Sequence, residues 1–180
     1  MTTTLQTRVP AGTWTLDPVH SAVGFEVDYL AGTFRGQFRD ANAELGIGES
    51  EAHITGTAKV ASVDVKDENL AAHLQSPDFF DAERFPELRF VAENIDLDGE
   101  TVVVPGEITI KGVAKPVEVN GTLAAPITDA FGNERLGLKL SARVDRTEFG
   151  LNWNTPLPTG DPALADEVTI IAELQLVKAA

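Results

Sequence analysis

The chain has 180 residues, and its 14 Lys+Arg against 28 Asp+Glu give a net charge of -14, which repels phosphate backbones and anionic membrane surfaces and sets nucleic acid aside as a partner. It has no cysteine, which excludes disulfides, a thiolate nucleophile and any cysteine-based metal site. A mixture of 43% apolar and 23% charged residues is that of an ordinary globular chain, and its length predicts one domain with a core large enough to fold alone.

The N-terminal stretch MTTTLQTRVPAGTW has no basic segment followed by an apolar one. It reads as no secretory signal, and a cytoplasmic location is the expectation. Residues 1–11 are expected to form a flexible arm ahead of a single domain over residues 12–180. No apolar run approaches the roughly 20 residues that a membrane-spanning helix needs, so the protein is not expected to be membrane-embedded.

In WTLDPVHSAVGFEV, Pro18 favours a turn that folds the Asp17 carboxylate back onto backbone amides or the His20 imidazole. Val23, Phe25 and Val27 then alternate with Ala22, Gly24 and Glu26, the period of a strand with one buried face. The same alternation places Ile54, Gly56, Ala58 and Val60 on one face, then Leu88, Phe90 and Ala92, with a bulge expected before Ile95. Val102, Val104, Gly106, Ile108 and Ile110 follow, in a run whose Pro105 suggests a break or an edge. The last three runs place Val117, Val119, Gly121 and Leu123 together, then Leu136, Leu138, Leu140, Ala142 and Val144, then Val168, Ile170, Ala172, Leu174 and Leu176. Only DENLAAHLQS, residues 67–76, has helical spacing, and PDFFDAERFPEL after it fits no strand period. NTPLPTGDPALAD is a long connection before the final strand, of the length at which loops tend to be functional or mobile.

About eight antiparallel strands with one short helix predict an all-β fold. A closed up-and-down barrel hides its edges best, and a sandwich is the alternative. The presumed inward set contains Gly56, Ala58, Ala92, Gly106, Gly121, Ala142 and Ala172. Such small residues leave a void lined by aliphatics, unless the helix and the aromatic loop plug it. Both outcomes are open from the pattern.

Several residues invite a catalytic reading. His20 and Ser21 are adjacent, but neighbours on a strand point to opposite faces, so a nucleophilic pair is disfavoured. The histidines His20, His53 and His73 lie on three different elements without metal-ligand spacing, so no metal site is expected. Asp78, Asp81 and Glu83 read as turn acids near arginines rather than an acid/base set. Phe79 and Phe80 are consecutive, so one is expected to pack inward while the other covers the ligand opening or a dimer partner. Gly36 and Gly112 read as turn glycines. In DRTEFGLNWN, Trp153 is a candidate pocket residue, and Asn152 or Asn154 either binds a head group or caps the turn before Pro156.

Taken together, Trp14, Asp17, His20, Ser21 and Phe25, then Gly36 and Phe38, HLQSPDFFDAERFPELRF, GEITIKGVAKPVEV and VDRTEFGLNWN resemble the YceI-like family, lipocalin-like proteins of bacteria. The resemblance covers roughly Gly12 to Lys178. It implies an eight-stranded antiparallel lipocalin-like barrel that binds, transports or stores a long-chain lipid such as an isoprenoid quinone or polyprenyl compound, often as a homodimer. It implies no established catalysis and no cofactor. Many members carry a signal peptide and are periplasmic, a point from which this sequence departs. The candidate ligand contacts are His20, Phe25, Ala58, Phe79, Phe80, Phe90, Ala142, Phe149, Trp153 and Ala172. One alternative is an isomerase or cyclase acting on a hydrophobic substrate, with His20 and an acid moving protons. Another is an interaction domain with a filled core.

Overall fold

The computed structural model describes residues 9–49, 51–97 and 99–179. Its strands are β1 (Gly12–Leu16), β2 (Ala22–Tyr29), β3 (Gly32–Phe38), β4 (Ala41–Ile47), β5 (Ala52–Lys59) and β6 (Val63–Asp64), then β7 (Glu87–Ala92), β8 (Thr101–Ile110), β9 (Val113–Thr128), β10 (Glu134–Asp145) and β11 (Leu164–Lys178). One helix, α1 (Glu68–Gln75), lies between β6 and β7.

All pairings are antiparallel, and the sheet closes on itself because β1 pairs with both β4 and β11. The barrel has eight staves, three of which are bent. Residues 164–173 of β11 pair with β2 and residues 176–178 with β1, so β1 and β2 form one interrupted strand along a single edge. Across the interruption, the Asp17 amide donates to the Gln175 carbonyl, and the Ser21 hydroxyl accepts from the Gln175 amide at 2.9 Å. Ser21 is thus a surrogate backbone partner in a bulge. In the same way β3 with β4, and β5 with β6, form two further bent staves, joined where the Lys59 amide meets the Asp40 carbonyl.

The predicted faces match the buried ones along β2, β5, β8, β9, β10 and β11. The bulge before Ile95 is present: Asn94 takes a φ of 54°, and the Ile95 amide rejoins the Ala52 carbonyl. Of the two readings of Pro105, the edge is the one found: β8 runs on through it, paired with Glu118 of β9 on one side and beyond the last β7 pair, Val91 with Glu107, on the other. One reading needs correction. Gly36 lies in mid-β3 rather than in a turn, facing Phe25, whose ring a Cβ would meet at 2.6 Å. Gly112 does occupy a turn, between β8 and β9, with a φ of 76°.

Of the expected arm, residues 1–8 lie outside the described residues. Val9 is fully buried, and the Pro10 carbonyl accepts a hydrogen bond from the Trp14 indole, so packing reaches back to Val9. One end of the barrel is solid: Trp14, Leu45, Leu97, Leu138 and Leu176 are almost completely inaccessible there. The other end is built from Phe25, Phe38, Leu74, Phe79, Phe80 and Phe149, and it is there that the interior opens.

Candidate functional site

Between the solid end and the aromatic end lies a cavity of about 400 Å³. Its walls are the inward faces of most staves. Val23, Val117, Val144, Val168, Ile170 and Ala172 point inward yet are only half-buried, because no side chain fills the space in front of them. Gly56, Ala58, Ala142 and Ala172 make the room. The other small inward residues have different tasks. Ala92 packs in the solid end, Gly106 leaves space for the Phe90 ring, and at Gly121 a Cβ would collide with the Lys139 carbonyl.

The cap over the open end combines α1, residues 76–85 and the chain from Arg146 to Leu164. The Asp67 carboxylate accepts from the Leu70 amide at 3.0 Å and starts α1, which places Leu70, His73 and Leu74 along the cavity. A turn follows in which Asp81 has a φ of 53°. There successive side chains need not alternate, so Phe79 and Phe80 are both buried and both line the cavity. This corrects the expectation that only one would point inward. Phe80 packs edge-on against Phe38 and Phe25, while Phe79 packs on His73 and Trp153. Asp81 faces Arg84 at 3.5 Å and Asp78 faces His73 at 3.1 Å.

The second half of the cap hangs on Arg146. Its Nε donates to the Ala165 carbonyl at 2.8 Å, Nη1 to the Leu151 and Trp153 carbonyls at 2.6 and 2.8 Å, and Nη2 to the Leu164 carbonyl at 3.3 Å. Asp166 lies at 3.5 Å and supplies a counter-charge at the surface. Burial pushes the guanidinium below its ordinary value. Asn154 is structural: its Oδ1 accepts from the Leu164 and Thr155 amides, and its Nδ2 donates to the Leu164 carbonyl. Asn152 is exposed. These bonds hold Leu151 and Trp153 over the cavity.

Nine of the ten candidate contacts border this one space: Phe25, Ala58, Phe79, Phe80, Phe90, Ala142, Phe149, Trp153 and Ala172. His20 does not. Its imidazole is 58% exposed on the outside of the β1–β2 bend, with Nδ1 at 2.7 Å from Asp17. Asp17 also accepts from the Val19 amide and from Arg135 Nη1, and Arg135 Nε reaches Asp129. Arg135 first, and His20 second, hold the Asp17 carboxyl well below the usual carboxylate range. This network clamps the bend to the β9–β10 hairpin. Sequence reasoning left out His73, Leu70 and Tyr29, which line the cavity, although Leu70 and His73 stand three apart on one helix face. Among the described residues, no three His, Asp or Glu side chains converge as metal ligands, and no helix is long and apolar enough to cross a membrane.

Comparison with known proteins gives a consistent picture. A UPF0312 protein of Staphylococcus aureus is 30% identical over 170 residues, which cover 90% of this chain and 95% of that protein. A UPF0312 protein of Photorhabdus laumondii is 31% identical over 134 residues, 72% of this chain and 70% of that one. The crystal structure of Burkholderia cenocepacia BcnA has a TM-score of 0.75 at 26% identity, covering 89% of this chain and 98% of that one. A polyisoprenoid binding domain from Saccharophagus degradans, implicated in plant cell wall breakdown, shares the fold with a TM-score of 0.69 at 12% identity, over 92% of this chain and 98% of its own. The YceI-like domain profile matches residues 14–176, from Trp14 at the solid end to Leu176 in the closing strand, and the chain belongs to the YceI-like family.

Proposed function

We propose that the protein binds a long apolar lipid tail inside the barrel, as a carrier or store and not as a catalyst. The observation that carries this reading is the cavity: about 400 Å³, walled by aliphatic and aromatic side chains, with half-buried valines and isoleucines facing empty space. That volume falls in the range of small-molecule sites, roughly 300–1,000 Å³. Each methylene moved from water into it contributes about 0.8 kcal/mol, less the cost of ordering the chain. An isoprenoid tail suits such a space, and the fold shared with a polyisoprenoid binding domain supports that class. The isomerase or cyclase alternative relied on His20, which faces solvent rather than a substrate in the cavity.

The test is organic extraction of the protein purified from its native host, followed by mass spectrometry. A lipid released in near-stoichiometric amount is the expected result. A clean extract, together with no uptake of polyprenyl or fatty probes by the extracted protein, refutes the reading. Chemical conversion of a bound probe would refute the non-catalytic part alone.

A further inference from the structure

The mouth of the barrel is unevenly charged. On one side lie α1 and its flanks, residues 64–87, with seven Asp/Glu against two Lys/Arg. On the other lie the β2–β3 hairpin and the second half of the cap. Residues 29–34 and 150–163 there hold a single charged side chain, Asp161, in a chain that is 23% charged. The two segments are joined by the Leu30 amide, which donates to the Ala163 carbonyl at 2.9 Å. Pro156, Pro158 and Pro162 are exposed along the same rim, and the Asp161 carboxylate accepts from the Thr159 hydroxyl at 3.0 Å.

Leu30 stands at the tip of this uncharged sector. It is 61% exposed and has a φ of 53°. A left-handed backbone costs least for glycine or asparagine, and a branched apolar side chain there gains no burial from folding. The fold thus holds a leucine in water, on backbone that suits another residue. Its neighbour Tyr29, 37% exposed, borders the cavity, as do Phe34 on the facing strand and Trp153 in the second half of the cap. The uncharged sector is continuous with the cavity wall.

Resting on the cavity reading above, we propose that this sector docks on an uncharged lipid bilayer surface, of the phosphatidylcholine kind, with Leu30 entering the surface and Tyr29 at the level of the head groups. A tail that leaves the cavity through water exposes its methylenes on the way, whereas a mouth seated on a bilayer passes it from one apolar medium to another. The kind of surface follows from charge. A net charge of -14, with acids gathered on the α1 side of the same mouth, opposes an anionic bilayer. A tyrosine beside an exposed leucine suits the boundary between head groups and hydrocarbon. Phe131, 90% exposed at the tip of the β9–β10 hairpin, lies beyond the solid end and away from the mouth, which makes it the control.

The chain has no cysteine, so a single one can be placed and labelled. Leu30→Cys and Phe131→Cys, each a full chain carrying a polarity-sensitive fluorophore, are mixed with vesicles of phosphatidylcholine alone or of equal parts phosphatidylcholine and phosphatidylglycerol. The label at position 30 should shift to the blue with phosphatidylcholine and less with the anionic mixture, and the label at position 131 with neither. A second arm loads the wild type with a fluorescent fatty probe and follows its transfer to the same vesicles. The rate should rise in proportion to the concentration of phosphatidylcholine vesicles. It should fall at least about five-fold in Leu30→Asn, which suits the left-handed backbone but removes the apolar side chain. Probe affinity should not change in that variant, because Leu30 does not border the cavity. A silent label at position 30, an equal response at position 131, transfer to the anionic vesicles as fast as to phosphatidylcholine, or a rate that ignores vesicle concentration or Leu30→Asn overturns the docking and leaves the cavity reading intact. Failure of the wild type to take up the probe overturns the cavity reading, and the label at position 30 still decides the docking.

Discussion

Replacing Arg146 with Lys should loosen the cap and destabilise the whole domain. In the native chain one guanidinium satisfies four carbonyls, those of Leu151, Trp153, Leu164 and Ala165. A lysine ammonium keeps the charge but has three donors on a tetrahedral centre, and it lacks the planar fork that reaches acceptors on several sides. The Leu164 carbonyl keeps its bond from Asn154 Nδ2, but a single ammonium cannot reach the other three carbonyls from one point, so at least one loses its partner. A buried acceptor left unmade costs about 1–3 kcal/mol, so Arg146→Lys should cost about 1–3 kcal/mol. Water entering at the cap favours the lower half of that range. Against a typical domain stability of about 5–15 kcal/mol the loss is large. Urea unfolding followed by circular dichroism measures it, and the native-state emission of Trp153 reports the cap, with Trp14 buried at the solid end as a constant background. If Arg146→Lys costs under about 1 kcal/mol and Trp153 emission does not change, the carbonyl cage is not what holds the cap, and the reasoning fails.

Three further outcomes are expected. Ala172→Phe and Ala142→Phe should yield folded proteins that no longer take up lipid probes; a loss of about 1–3 kcal/mol from the ligand-free protein at both positions would mean that the core there is already full. Asp129 is held at about 2, against an ordinary 3.8, first by its bond to Arg135. A depressed carboxyl lends stability that is complete above the ordinary value and disappears as pH falls toward the folded one. The melting temperature should therefore fall between about pH 4 and pH 2 more steeply in the wild type than in Arg135→Gln; parallel curves would contradict the assignment. Finally, Gly121→Ala should destabilise more than Gly36→Ala. At Gly121 the new methyl meets the Lys139 backbone carbonyl, whereas at Gly36 it meets the Phe25 ring, which can swing toward the cavity. Equal urea midpoints would refute that ordering.

The inward faces were legible in the sequence wherever β-branched and leucine residues alternate without interruption, as from Leu136 to Val144. Strand β1 was missed because GTWTL holds one large apolar residue between threonines, and its burial depends on Leu45 and Leu176 from distant strands. Strands β3 and β4 were missed for a related reason. In GTFRGQF a glycine takes the middle inward place, and in ANAELGI an alanine opens the inward set. Each alternation is there, but weak in bulk. The Asp17–His20 contact was foreseeable from the turn at Pro18. Its meaning was not, because the partner that fixes the bend, Arg135, is 118 residues further along the chain. The pair then reads as a clamp on the outside of the barrel. Phe79 and Phe80 were misjudged because strand geometry was applied to a turn. His73 stands on a helix of two turns, where only the packing of Phe79 and Trp153 around its ring settles which way it faces.

The closing strand is also the last to be synthesised. β11 is bonded to β10 along one edge and to β2 and β1 along the other, joining the first and last strands so closely that the Ala179 amide donates to the Thr13 carbonyl. A growing chain that has reached residue 163 therefore carries a seven-stave sheet with two unprotected edges and an apolar inner face. Translation that stalls before β11 yields not a smaller barrel but a sheet ready to pair with its neighbours.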